Sequence, residues 1–590
     1  MAVQGSFDMT QTASHRVSET VSWNVWTVWK SNDSSEFRFG RNLLFCAIGL
    51  WFLLMIPAWR GGPLVLDEHV SVWIAEGGEF PSTLLDRSLN IAATPPLSSL
   101  IDAVVLQWIG HREWALRSQS AIATLLTIVV IFQTSLLFQS PVAGGMAGIL
   151  LMMHPEVLDE IRIARSYGLV LLLSSLVIFF TLWWSRELDR RAHITERTSP
   201  GTLLRIGLGW MFCSIALTWT HYTSVLMVIC SSLWILIRTL YWQSKCSRRH
   251  SWTMSIWFVF NLLLALAATP LIPSVLRLND WGPFLNYMSA SQSVWSVIGP
   301  YWWAALPAGI VVSRICERIV MKWRLHIFTS PQEESTALGK PENPLRKSNR
   351  KAHLQTSTEK FRPILPLLFC SILPLVFLAL ATMTDLSSLA NPRYRIATAP
   401  ASALLISLLL TRSVSRFSGV LGALILMIVA WCCSASTPWI AGRLGSRTDR
   451  EWDELAADLN EHALPGSAIL VGSGLVECRL IPAFLDDPLF LEYTAARISR
   501  FSVPGPFRRI GLSSAPGTSP ELNQFYLNTL TNPEAVQHNG CWIASTIDTD
   551  LARNSVQDLR HLVARAGLKI LYERQWQGAI LLHISPPEKD

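Results

Sequence analysis

Long apolar runs, most of them about 17 to 25 residues, recur along this chain and are separated by short polar loops. A helix of that length crosses a hydrocarbon core roughly 30 Å thick. The runs fall at 42–58, 118–138, 142–154, 167–184, 203–219, 222–241, 252–276, 294–313, 363–382, 398–411 and 418–436, which predicts about eleven transmembrane helices. One further stretch, Pro95 to Ile109, opens with Thr94-Pro95-Pro96-Leu97, contains Asp102 and Gln107, and is short for a crossing.

Whether 95–109 crosses decides the side of every later loop, and loop charge arbitrates. With a cytoplasmic N-terminus and no crossing there, loops 185–202, 242–251 and 314–362 fall inside, and these are the basic ones. The last carries Arg314, Arg318, Lys322, Arg324, Lys340, Arg346, Lys347, Arg350, Lys351, Lys360 and Arg362. A crossing would put all of them outside. The segment is therefore expected to lie in the outer interface, with Trp108 near its end. Residues 1–41 are polar and lack the apolar core of a signal peptide, so the first span is expected to act as an uncleaved anchor.

The character changes near Arg447, where charges become frequent and strand-like segments appear. Asp449 to His462 has helical apolar spacing, with Trp452, Leu455, Ala456 and Leu459 on one face. Ala468 to Val471 and Cys541 to Ala544 read as strands, Val556 to Ala566 as a helix, and Ile570 to Ile584 as two strands joined near Gln577-Gly578. Gly472-x-Gly474 is too short and poorly placed for a dinucleotide fingerprint. The expected organisation is a cytoplasmic tail at 1–41, a transmembrane domain at 42–436 with its first outer loop at 59–117, and an extracytoplasmic α/β domain at 437–590.

Composition agrees with this picture and narrows it. Half of the 590 residues are hydrophobic and 15% are charged, against roughly 25% in soluble domains. The net charge of +7 comes from loop lysines and arginines, so it reports orientation and not nucleic-acid affinity. Ten cysteines lack metal-site spacing; Cys478 and Cys541 alone fall in the C-terminal region, as a disulfide or as two free thiols.

The candidate chemistry sits in loops assigned to the outer side. Asp67 and Glu68 follow the first span closely, and acids at the mouth of a bundle are usually functional. A second acidic loop carries Asp159 and Glu160, then Arg162 and Arg165. His221 and the run Asn391-Pro392-Arg393-Tyr394-Arg395 lie at the same outer ends. A carboxylate can remove the proton of an attacking hydroxyl, and arginine forks suit phosphate. Paired carboxylates are also a setting in which Mg2+ or Mn2+ binds; the expectation is that no metal is strictly required.

The acidic pair after the first span, the Pro-Pro-Leu helix, the second acidic loop, Gly110-x-x-Glu113-x-x-x-Arg117 and the later Pro392-Arg393-Tyr394 occur in a recognisable order. Together they resemble the GT-C superfamily of integral-membrane glycosyltransferases, in particular the family 39 type of protein O-mannosyltransferases and lipid A aminoarabinose transferases. The resemblance covers residues 42 to about 436. Many members have His before Pro-Pro-Leu, where this chain has Thr94. It implies an inverting transfer of a sugar from a polyprenyl-phosphate donor to an acceptor protein, lipid or envelope glycan on the outer face of a bacterial inner membrane. On this analogy Asp67 is the general base, with Glu68 beside it. Arg393 and Arg395, and then Arg162, Arg165, Tyr394 and His221, are candidates for the donor phosphate, and Asp159 and Glu160 form the second acidic loop. A transporter or flippase of lipid-linked sugars shares the bundle and the outer charges, but it should show ionisable residues near mid-membrane, and these spans are mostly free of them. A non-catalytic scaffold does not account for the clustering of acids and arginines.

Overall fold

The computed structural model describes residues 34–60, 62–77, 82–193, 200–245, 251–285, 364–383, 389, 391–413, 447–514, 519–532 and 540–585, with isolated positions between 294 and 318. Its membrane part is a helical bundle: α1 (Ser35–Trp59), α2 (Leu66–Ala75), α3 (Leu97–Ile109), α4 (Glu113–Leu136), α5 (Pro141–Met152), α6 (Pro155–Ile161), α7 (Tyr167–His193), α8 (Pro200–Thr218), α9 (Val225–Lys245), α10 (Ser251–Ala268), α11 (Ile272–Leu285), α12 (Ile364–Thr382) and α13 (Ala399–Ser413).

Among the described residues, eight helices are long and apolar enough to cross a membrane. They account for eight of the eleven expected spans. The run at 142–154 forms the shorter α5, and those at 294–313 and 418–436 lie largely or wholly outside the described residues. α5 is buried along its whole length and packs against α1 at very close range. A Cβ on Gly145 would come within 2.5 Å of the Gly40 carbonyl oxygen, so only glycine permits this approach. The bundle core is built mostly of apolar side chains, and buried hydroxyls such as those of Thr124, Thr127 and Thr181 bond back to carbonyls of their own helices.

The segment between α1 and α4 returns to the face it left. Arg117, in the first turns of α4, bonds the Gly62 and Pro63 carbonyls just beyond α1, while Trp51 further down α1 bonds the Ala121 carbonyl. α1 and α4 are thus antiparallel, and α3 does not cross between them. Its Leu100 and Ala103 pack into the core of the C-terminal domain, and Trp108 is 82% exposed at its end.

The C-terminal domain opens with α14 (Arg447–His462) and holds a five-stranded sheet, in the order β2-β1-β3-β5-β4. The strands are β1 (Ala468–Gly472), β2 (Arg508–Gly511), β3 (Cys541–Thr546), β4 (Lys569–Gln575) and β5 (Ala579–Ser585). β1 pairs in parallel with β2 and β3, and β5 pairs antiparallel with β3 and β4. The helices α15 (Pro488–Thr494), α16 (Pro520–Thr531) and α17 (Asp550–Arg565) cover it. Cys478 and Cys541 are both buried and free, so the disulfide reading gives way to two free thiols. One hydrophobic core joins this domain to the first loop: Val70, Trp73, Ile74, Leu84 and Ile91 pack with Phe490, Tyr493 and the sheet. Arg87 clamps the junction, donating to the Trp73 carbonyl at 2.6 Å, lying 4.4 Å over the Trp73 ring and pairing with Glu492 at 3.4 Å.

Candidate active site

The tandem acids open α2, where carboxylates are favoured by the helix dipole. Consecutive helical residues point about 100° apart, and here that rotation separates their fates. Glu68 turns inward and is fully buried. Its Oε1 accepts from Arg117 Nε at 2.9 Å and from the Ala164 N–H at 2.6 Å. Its Oε2 accepts from Arg117 Nη2 at 2.8 Å and from the Val65 N–H at 2.9 Å. Arg117 is as fully buried and also bonds the Gly62 and Pro63 carbonyls. Glu68 therefore ties three chain segments together and is closed to an acceptor.

Asp67 turns the other way and keeps 38% of its side chain open. Its Oδ2 meets Arg393 Nη1 at 2.9 Å and Arg165 Nη2 at 3.7 Å. Arg165 also donates to the Asp67 carbonyl at 3.2 Å, which fixes the helix start against the second loop. The Arg165 guanidinium, opposed by burial and assisted by Arg393, holds the Asp67 carboxyl below the usual carboxylate range. Burial instead pushes Glu160 up to about 7, against the pull of Arg393 and Arg165, and its Oε2 has no hydrogen-bond partner among the described residues. The site thus holds two carboxyls with ionisation shifted in opposite directions.

Around this pair lie aromatic rings. His221 sits between Tyr167, at 5.4 Å between centroids, and Tyr394, at 5.5 Å. Burial, with Arg165 and Arg393 adding to it, pushes His221 down to about 3, so the ring is neutral. The Thr223 hydroxyl donates to the Tyr394 carbonyl at 3.2 Å and stands 2.9 Å from His221 Nδ1. Arg393 lies against Tyr394, with its guanidinium carbon 5.3 Å from the ring centroid.

The structure brings Asp67, Glu160, Arg165, Arg393, Tyr394 and His221 together from four separate segments. It places the other candidates elsewhere. Arg162 is buried and donates twice to the Leu54 carbonyl, at 3.1 and 3.0 Å, at the end of α1. Arg395 forms a two-pronged ion pair with Glu156, with one contact at 2.9 Å, and donates to the Val297 carbonyl at 3.1 Å. Asp159 faces outward on α6. Glu156 belongs to the same second acidic loop but was given no role from sequence; nothing short of the fold pairs it with Arg395. Sequence reasoning also missed Glu477 and Tyr493 of the C-terminal domain, which are hydrogen-bonded to each other at 3.1 Å and lie close enough to feel the charges of Asp67 and Arg165. The sole carboxylate and histidine group with metal-ligand spacing among the described residues, Asp458, Glu461 and His462, lies on α14, where Asp458 is already engaged by Tyr572 and Arg574.

No protein-family description and no curated protein sequence matches this chain. Solved structures do. ArnT from Cupriavidus metallidurans bound to undecaprenyl phosphate superposes with a TM-score of 0.53 at 14% identity, covering 96% of this chain and 99% of that one. The apo state of the same protein gives 0.51 at 12% identity, covering 95% and 98%. An oligosaccharyltransferase from Archaeoglobus fulgidus in its apo form gives 0.46 at 10% identity, covering 86% of this chain and 69% of that one. A bundle of membrane-crossing helices, a first loop that carries paired acids back to the face it left, and a C-terminal sheet domain packed on that loop give this integral-membrane protein the fold of ArnT, the GT-C fold.

Proposed function

We propose that this chain is an inverting glycosyltransferase that moves a sugar from a polyprenyl-phosphate donor to an acceptor at the extracytoplasmic face of a bacterial inner membrane. The observation that carries the reading is the half-open Asp67 carboxylate held by two arginines, Arg393 and Arg165, from two different loops. Two guanidinium groups fixed beside a half-open carboxylate can serve both that base and a departing phosphate. ArnT, whose fold this chain shares, binds undecaprenyl phosphate.

In this mechanism the donor phosphate takes the exposed edges of Arg393 and Arg165, whose planar forks suit its oxygens. The arginines loosen their hold on Asp67 as they turn to the phosphate. Asp67 then accepts the proton of the acceptor hydroxyl as that oxygen attacks the anomeric carbon, and the phosphate leaves with its growing charge on the two guanidinium groups. His221 and Tyr394 act as positioning residues that set the height of Arg393. Glu68 holds the base in place through Arg117. No metal is required; transfer that EDTA abolishes and Mg2+ restores would overturn that part.

The test uses purified full-length protein and labelled undecaprenyl-phosphate sugars. Asp67→Asn is expected to lower transfer about 10²- to 10⁴-fold and to leave donor binding within a few-fold of wild type. Wild-type protein that binds no polyprenyl-phosphate species would sink the proposal. Transport of the lipid-linked sugar without any transfer would favour the flippase reading. Cysteine labelling from the cytoplasmic side at residue 67 would refute the assigned orientation.

A further inference from the structure

We propose that the C-terminal domain completes the active site, with Glu477 hydrogen-bonding a hydroxyl or amine of the sugar carried by the lipid donor. This rests on the glycosyltransferase reading above and adds a recognition residue to it.

Four observations converge. Tyr493, on α15, donates its hydroxyl to Glu477 Oε1 at 3.1 Å, which fixes that carboxyl. The other oxygen, Oε2, is buried and has no hydrogen-bond partner among the described residues. The Tyr493 ring packs at 5.5 Å on Trp73, which belongs to the same short helix as Asp67. The charged groups that act on Glu477 are Asp67 and Arg165, members of the site itself. A buried carboxyl oxygen left without a partner is unfavourable, and native folds seldom leave one without a reason. Burial raises the pH at which this acid ionises, against the hydrogen bond from Tyr493.

The position favours the donor sugar over the acceptor. The proposal sets the phosphate at Arg165 and Arg393 and extends the sugar from it toward the C-terminal domain. Glu477 stands on that side, on a domain locked to α2 through Trp73 and Arg87. Arg277 of α11 adds a further tie, lying 5.0 Å from the Phe484 ring and 5.8 Å from that of Phe490.

The experiment measures equilibrium binding by the full-length protein in nanodiscs. The probes are bare undecaprenyl phosphate, undecaprenyl-phosphate mannose and undecaprenyl-phosphate aminoarabinose. The readout is the ratio of affinities for glycosylated and bare carrier. Glu477→Ala is expected to lower that ratio about 10- to 100-fold while leaving bare-carrier binding unchanged. Glu477→Gln, which keeps the shape and can both donate and accept, should hold the ratio to within about threefold. Should the alanine variant not fold, Tyr493→Phe carries the test, with an expected fall of about 3- to 10-fold. An unchanged ratio in the folded variants overturns the inference. So does a loss of bare-carrier binding in step with the glycosylated donor, or a shift in acceptor KM alone. Wild-type protein that binds neither form sinks the function itself, which is a different result.

Discussion

Replacing Arg117 by Met tests the division of labour between the two tandem acids. Arg117 and Glu68 have no exposed side-chain surface, and their pairing is two-pronged at 2.9 and 2.8 Å. Removing the cation leaves a carboxylate buried with two backbone donors, Val65 and Ala164, and no counter-charge. Breaking a buried pair from one side costs about 3–5 kcal/mol. The Gly62 and Pro63 carbonyls lose their donors as well. Arg117→Met should therefore melt well below wild type in nanodiscs, followed by tryptophan fluorescence, and lose activity together with stability. The double variant Glu68→Leu with Arg117→Met should recover only part of the loss, because the Val65 and Ala164 N–H groups would then lack an acceptor, at about 1–3 kcal/mol each. Asp67→Asn is the contrast. Its half-open ion pairs contribute no more than about 1 kcal/mol, so activity should vanish while melting barely moves. An Arg117→Met protein as stable as wild type would refute the reasoning, and so would Asp67→Asn melting as low as Arg117→Met.

Further outcomes concern Glu160, the Arg395–Glu156 pair and the two buried cysteines. Glu160, raised to about 7, is neutral at acid pH and becomes an anion beside Arg393 and Arg165 as pH rises through 7, so donor KM should rise across pH 6–8 and Glu160→Gln should flatten that rise. The same raised ionisation means the folded protein binds a proton that the unfolded chain gives up near the ordinary carboxylate range. Its destabilising effect therefore grows as pH rises from about 4.5 to 7, and Glu160→Gln should raise the melting temperature at pH 8 but not at pH 4. The Arg395–Glu156 pair pins α6 to the segment bearing Arg393, so Arg395→Gln and Glu156→Gln should each lower transfer, and the double variant should be no worse than either single one; strict additivity would show the pair to be idle. Cys478 and Cys541 should resist maleimide labelling until the domain unfolds, and a reductant should leave its melting unchanged.

Much of this arrangement was legible because membranes simplify the problem. Span length and loop charge placed Asp67, Arg165, His221 and Arg393 on one face, and short tethers to adjacent spans made their side chains neighbours. Resolving Asp67 from Glu68 required the phase of a ten-residue helix, and no periodicity over so short a segment fixes phase. Arg117 stood in a motif, yet nothing local tied it to Glu68, 49 residues earlier. In the C-terminal domain, β1, β3 and β5 announced themselves as buried apolar runs. β2 did not, because it is four residues long, opens with two arginines and lies at the sheet edge. Glu477 and Tyr493 carried no signal at all: one apolar core, which holds Tyr493 and fuses their domain to α2, brings them near the first loop.

The charge count at the site favours a phosphodiester donor over a neutral sugar. With Glu160 protonated, the described cluster is one carboxylate, Asp67, facing two guanidinium groups, Arg165 and Arg393. It carries one uncompensated positive charge. A polyprenyl-phosphate sugar is a diester with a single negative charge, which brings the sum to zero. In the proposed transfer the acceptor proton passes to Asp67 and neutralises it. The departing lipid phosphate becomes a monoester with a charge of about −1.5 to −2, which the same two arginines now face alone. The sum returns close to zero without any ion entering or leaving a low-dielectric site, where an unbalanced charge is most costly. Substituting either arginine by a neutral residue breaks the balance at the product end more than at the substrate end. Arg393→Gln should therefore lower turnover more than it weakens donor binding, and an equal loss in both would show that the arginine holds the donor without stabilising its departure.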